Sequence, residues 1–232
     1  MVQIIKGLGS LSQLETSVNQ FGYKKILLVS GQSSYTSSGA RQAVNLAVDA
    51  YSIVQFSDFS ANPKLDDAKR GVEVAIKNGI DLIIAVGGGS VMDMAKIIKA
   101  LYSNPDNAEE ICNGNVQVQD PKIPIIAIPT TAGSGSEATH FAVVYINGKK
   151  YSLANDCLKP NCVFLDGRFV MSGPRYLKAC NALDTLSQGI ESAWSVASTS
   201  RSSDFALESV ALCFSVMNDF VKKYNLTLKI IN

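Results

Sequence analysis

The chain has 232 residues, 47% of them hydrophobic, which allows a sizeable core as one large domain or two smaller ones and excludes a disordered composition. Lys plus Arg number 21 against 20 Asp plus Glu, a net charge of +1, and no basic run is dense enough to track a phosphate backbone, so no nucleic acid partner is expected. No stretch nears the roughly 18 apolar residues of a membrane span. The start MVQIIKGLGS lacks a secretory signal's apolar segment, and Cys112, Cys157, Cys162, Cys180 and Cys213 form no C-x-x-C pair. These point to a soluble cytoplasmic chain with reduced, mostly buried thiols and no membrane partner.

In chain order, β-branched apolar runs predict strands at 25–29 (KILLV), 51–56, 82–86 (LIIAV) and 124–128. Apolar positions at helical spacing predict helices over 11–21, 40–48 and 65–77, the last with Val72, Val74, Ala75 and Ile76 inward. Strands that are apolar throughout and alternate with helices are what a parallel sheet covered on both faces requires. The expected fold class is therefore α/β, a doubly wound, Rossmann-like parallel-sheet domain. Further on, FAVVYI, the Asn147-Gly148 turn, YSLA and CVFLD predict short strands, with a hairpin at the turn. After Ser172-Gly173-Pro174 the strand signal nearly stops, and 176–196 and 203–224 predict helices. The chain then divides near 172 into an α/β domain, 1–172, and the start of a helical domain, 173–232, too short for a comfortable core of its own.

The sharpest local signal is LIIAVGGGSVMDMAKIIKAL, residues 82–101. An apolar strand ends at Val86, glycines follow, and Ser90 opens an amphipathic helix. Glycine lets backbone approach a bulky anion, and a helix N-terminus offers free N–H groups with the positive end of the dipole. In an open α/β sheet such a turn lies at the carboxyl end of a strand, where ligands bind. The pattern is neither a Walker loop nor G-x-G-x-x-G after the first strand. On the residues alone it marks either a phosphate-bearing ligand, such as a nucleotide, or a tight turn with none.

Asn62-Pro63, GIDLIIAVGGGSVMDMAK, PIIAIPTTAGSGSEAT and ALDTLSQGIES, in that order and spacing, resemble the iron-containing alcohol dehydrogenase family, whose fold is dehydroquinate synthase-like. The resemblance implies an NAD(P)-dependent oxidoreductase interconverting a small aldehyde and an alcohol. In such enzymes Gly88, Gly89 and Ser90 would cradle the pyrophosphate, and Thr130 and Thr131 would donate hydroxyl hydrogen bonds to the cofactor. Asn62 would lie near the cofactor cleft, Asp93 near the nicotinamide half, and Lys150 at the family's cofactor-contacting lysine. Gly31 stands where many members carry an aspartate that repels a 2′-phosphate, so NADP(H) is expected to be accepted alongside NAD(H). GSGSEATHFAVVYINGKKYSLA with YLKACNALDTLSQGIESAWSV is most similar to the phosphonoacetaldehyde reductase branch, which makes phosphonoacetaldehyde a candidate substrate.

The family usually holds divalent iron or zinc with one aspartate and three histidines. Here the first two ligand positions are Asp184 and Gln188, a weaker donor pair. Helical geometry places them with Glu191 on one polar stripe, which by itself is an ordinary solvated face, while Leu183, Leu186, Ile190 and Trp194 line the opposite side. The remaining histidines would lie downstream, so the chain is expected to be C-terminally truncated. A catalytically inactive dinucleotide-binding remnant is the alternative function. The lone His140 is read as lining the loop or cleft, with cofactor or substrate contact as the other role. Gly167 replaces the family's usual proline after Asp166. Unpartnered apolar faces carrying Leu207, Val210, Leu212 and Phe214 predict poor solubility. A homodimer is left open.

Overall fold

The apolar strands sort their side chains onto two faces. In the strand Leu82–Gly87 every residue is buried: Ile83 and Ala85 enter one core, while Leu82, Ile84 and Val86 enter the other. The strand Lys25–Ser30 divides likewise, Leu27 and Val29 against Ile26 and Leu28. Such a sheet needs helices on both sides, which strand-helix alternation supplies.

The computed structural model describes residues 2–222. In chain order the elements are β1 (Gln3–Lys6), a 3₁₀ turn (Ser10–Gln13), α1 (Leu14–Phe21), β2 (Lys25–Ser30), α2 (Ser34–Ser37), α3 (Ala40–Val48) and β3 (Ser52–Phe56). There follow α4 (Leu65–Asn78), β4 (Leu82–Gly87), α5 (Gly89–Tyr102), α6 (Ala108–Cys112), β5 (Ile125–Pro129), β6 (Phe141–Ile146) and β7 (Lys149–Ala154). β8 (Cys162–Leu165), α7 (Gly167–Met171), α8 (Arg175–Trp194) and α9 (Ser200–Lys222) complete the described chain.

Six parallel strands form one sheet in the order β1-β8-β5-β4-β2-β3. α4 and α5 cover one face with Leu65, Val72, Met94 and Ile98, and α1 and α3 cover the other with Leu14, Val18, Val44 and Val48. After β2 the chain proceeds to β3 on one side, whereas β4 and β5 lie on the other. The segments leaving the carboxyl ends of β2 and β4 therefore diverge to opposite faces and open a crevice between them. Gly31 and the glycines at 87–89 sit there, joined by a bond from Gly31 N to Val86 O at 3.3 Å.

β6 and β7 form the expected hairpin. Asn147 and Gly148 take φ of 50° and 79°, the pair of left-handed conformations that a two-residue type I′ turn demands. The hairpin packs its Ala142, Val144 and Ile146 into the α4–α5 core, and Tyr145 N donates to Pro63 O at 2.8 Å.

Several elements depart from expectation. β1 has no counterpart among the predicted strands, and the helix expected from residue 11 begins as the 3₁₀ turn. Ile76, expected inward, is 44% exposed, because Val72 and Ala75 already fill the narrow stripe that α4 turns to the core. On α8 the expected apolar side is not a core face: Leu183 is 57% and Trp194 74% exposed. α8 instead buries Lys178, Ala182 and Gly189. A Cβ on Gly189 would lie 2.8 Å from Val210 Cγ2, so this glycine lets α9 come close, and Val210 is half-buried rather than unpartnered. The predicted end of the last helix at Tyr224 lies outside the described residues. Cys112, Cys162 and Cys213 are buried, Cys157 is half-buried and Cys180 is exposed. Among the described residues no helix is long and apolar enough to cross a membrane.

Candidate cofactor site

β4 delivers the chain into the crevice through Gly87, where a Cβ would meet Val91 Cγ2 at 2.4 Å, so only glycine permits this approach of strand to helix. Gly88 is the extended N-cap of α5, and no side chain caps the helix. Its first-turn N–H groups and the positive end of a 14-residue helix thus face the crevice. Asn62, in the left-handed region at φ 59°, donates its N–H to Ser90 Oγ at 3.2 Å and brings the Asn62-Pro63 turn against this helix start.

The threonine loop closes the other side. Thr130 N donates to Gly87 O at 2.9 Å, which fixes the two loops in register. A Cβ on Gly88 would stand 3.1 Å from Thr131 Oγ1, and one on Gly89 would stand 3.0 Å from Ser134 Oγ. Bare backbone therefore faces hydroxyls across a narrow gap. Thr130 Oγ1 is buried without a hydrogen-bond partner, an unsatisfied group of the kind that a polar ligand completes. A cavity of ≈ 230 Å³ here is lined by Gly88, Gly89, Ser90, Thr131 and Ser134, with Leu177, Asn181 and Asp184 of α8 across it. These features fit the diphosphate bridge of a dinucleotide.

Of the other expected residues, Gly31, Asn62, Asp93, Thr130 and Lys150 do not line this cavity. Gly31 lies at the end of β2, where a Cβ would run into Ser34 Oγ at 2.3 Å. Lys150 is exposed on β7, opposite Tyr145. Asp93, one turn into α5, accepts from Ser136 Oγ at 2.7 Å and from Val143 N at 3.2 Å. Burial raises the Asp93 carboxyl above its usual range, against the lowering effect of those bonds and of the Lys96 and Lys150 charges. Burial likewise raises Glu137. His140 packs its ring 4.0 Å from that of Phe141.

Sequence reasoning missed Lys96. Its side chain is fully buried, and Nζ donates to Ser136 O at 2.6 Å, Phe141 O at 2.7 Å and Thr139 Oγ1 at 3.1 Å. Burial lowers its pKa to about 8, opposed by the charges of Asp93 and Glu137. The available signal was a lysine inside the apolar run MAKII, three residues after an aspartate on the same helix face.

The metal half does not fit. Asp184 and Gln188 are both exposed on α8, and Gln188 Nε2 reaches toward Gly133 O at 3.5 Å. Among the described residues no group of three or more His, Cys, Asp or Glu could hold a metal ion. One carboxylate and one neutral amide do not make an iron or zinc site.

A glycine-headed helix at the switch point of a doubly wound parallel sheet is the architecture of the Rossmann-like α/β class. The chain belongs to the iron-containing alcohol dehydrogenase family, whose model matches residues 2–167. It is similar to the bifunctional aldehyde-alcohol dehydrogenase AdhE of Escherichia coli (strain K12), 33% identical over 217 residues, covering 88% of this chain and 24% of that protein. It is 29% identical to long-chain-alcohol dehydrogenase 1 of Geobacillus thermodenitrificans (strain NG80-2), covering 89% of this chain and 53% of the relative. Among solved structures, sulfoacetaldehyde reductase from Bifidobacterium kashiwanohense in complex with NAD+ superposes with a TM-score of 0.91 at 28% identity, covering 96% of this chain and 60% of that one. An iron-containing alcohol dehydrogenase from Thermotoga maritima gives a TM-score of 0.88 at 27% identity, covering 95% and 61%. The chain thus spans between 24% and 61% of the length of these proteins.

Proposed function

We propose that the chain is the cofactor-holding part of an iron-type alcohol dehydrogenase that reduces a small aldehyde to an alcohol with NADP(H) or NAD(H). The observation that carries this is the uncapped start of α5 at Gly88 and Gly89, held against Thr131 and Ser134, with Thr130 Oγ1 buried and unsatisfied beside it. In this reading the amides of Gly88, Gly89 and Ser90 bind the pyrophosphate. The hydroxyls of Thr130 and Thr131 orient the cofactor, Asn62 holds the rim of the cleft, and Asp93 and Lys150 lie toward the nicotinamide. A reduced nicotinamide, when bound, supplies the hydride. The similarity to a sulfoacetaldehyde reductase supports a small aldehyde carrying an anionic group, phosphonoacetaldehyde being of that class. A cytoplasmic setting is part of this reading, and the free cysteines support it.

The neutral amide of Gln188 beside Asp184, a weak donor for a metal, favours a second reading, a dinucleotide-binding chain without turnover. Titrating the chain with NADPH and NADH by fluorescence, and assaying aldehyde reduction in parallel with added Fe²⁺ or Zn²⁺, separates the two. Binding with turnover supports the reductase, and binding alone supports the second reading. The absence of any binding would sink both.

A further inference from the structure

Asp93 and Lys96 stand on one face of α5, one and two turns below the glycines, and both hold the loop that carries the threonines. Thr130 N on Gly87 O fixes the near end of that loop. Asp93 takes Ser136 Oγ and Val143 N, while Lys96 takes the carbonyls of Ser136 and Phe141 and the hydroxyl of Thr139. We propose that Lys96, with Asp93, is a positioning residue: it latches residues 130–143 to α5 and so sets the gap between Gly88 and Gly89 and the hydroxyls of Thr131 and Ser134 on which cofactor affinity depends. The affinity half of this inference rests on the dinucleotide reading above.

The amine serves its three oxygens in either charge state. As ammonium it has a hydrogen for each; as neutral amine two N–H groups keep the carbonyls and the lone pair accepts the Thr139 hydroxyl. The charged groups facing it are Asp93 on its own helix and Glu137 on the loop, and Lys150 on the hairpin acts on Asp93. Burial holds Lys96 at about 8, whereas an opened loop returns it to the ordinary 10.5. Between those values the open form binds more protons, so rising pH favours the latched form; below about 8 both forms are charged and pH has no effect through this group.

The test uses the whole chain with Lys96→Met. NADPH titration should give an affinity about tenfold weaker than wild type, the scale of one lost charge-assisted hydrogen bond. Pulse-labelled amide exchange, corrected for intrinsic rates, should show protection of residues 130–143 rising with pH relative to β4 in wild type and low and flat in the variant. Equal NADPH affinity in the variant, or flat loop protection in wild type, overturns the proposal. If the variant does not fold, the wild-type pH series decides alone. If wild type binds neither NADPH nor NADH, the dinucleotide reading and the affinity half fall, and exchange alone decides the latch.

Discussion

Gly31 is the position at which we expect one missing side chain to bear on cofactor choice. It ends β2 beside the start of α5, with its N–H on Val86 O. A carboxylate there would repel a 2′-phosphate and accept hydrogen bonds from a free ribose. Gly31→Asp brings its Cβ against Ser34 Oγ, but that hydroxyl can rotate away, and the backbone φ at Gly31 is not in the left-handed region. The variant is expected to weaken NADPH binding about tenfold, the scale of roughly 1.4 kcal/mol of like-charge repulsion, while NADH binding holds or improves. Fluorescence titration with both cofactors checks it, and unchanged NADPH affinity would reject Gly31 as the discriminating position. At this scale the meeting of Gly88 and Gly89 with the Thr131 loop was legible, because bare backbone and a run of hydroxyls are each marked in the local sequence, while their part in binding stands as proposed. Lys96 was not, because its acceptors are loop oxygens 40 to 45 residues away that no local pattern marks.

Among the elements, α4 and α5 meet at Gly71, where a Cβ would lie 2.5 Å from Ile98 Cδ1 and 2.9 Å from Phe56 Cε1. Alanine would gain about 1 kcal/mol of helix propensity. Forcing a methyl into this packed site costs about 1–3 kcal/mol, and the crowding should win because Ile98 is fully buried and the Phe56 ring is nearly so. Gly71→Ala is therefore expected to lower stability by about 1 kcal/mol in urea denaturation, and a more stable variant would refute this packing account. Element type was legible wherever burial on both faces made a run apolar throughout, as in β2, β4 and β5. β1 was hidden because it is a four-residue edge strand, mostly exposed, whose partner lies at the far end of the sheet's sequence. α8 was legible as a helix, but its buried side was not, since small residues such as Ala182 and Gly189 make the contact and the large apolar ones do not.

At the scale of the molecule, the last two described helices, α8 and α9, pack on each other and leave Leu207, Leu212 and Phe214 at 60%, 50% and 64% exposure. Apolar area of this extent predicts self-association and dye binding. Sedimentation velocity should show mass rising with concentration, and Leu207→Lys with Phe214→Glu should restore a monomer with unchanged helicity; a wild-type monomer at all concentrations would contradict it. We keep the division near residue 172 as a proposal: all eight strands lie before it among the described residues, and only helices follow.

The pairing of β1 with β8 joins Gln3 to Cys162, so the outermost rung of the sheet is built from the two extremes of the strand-bearing sequence. During synthesis β1 must wait, its backbone edge unpaired, until some 160 further residues have emerged. Closure of this edge of the sheet is therefore a late event in folding, set by the arrival of β8.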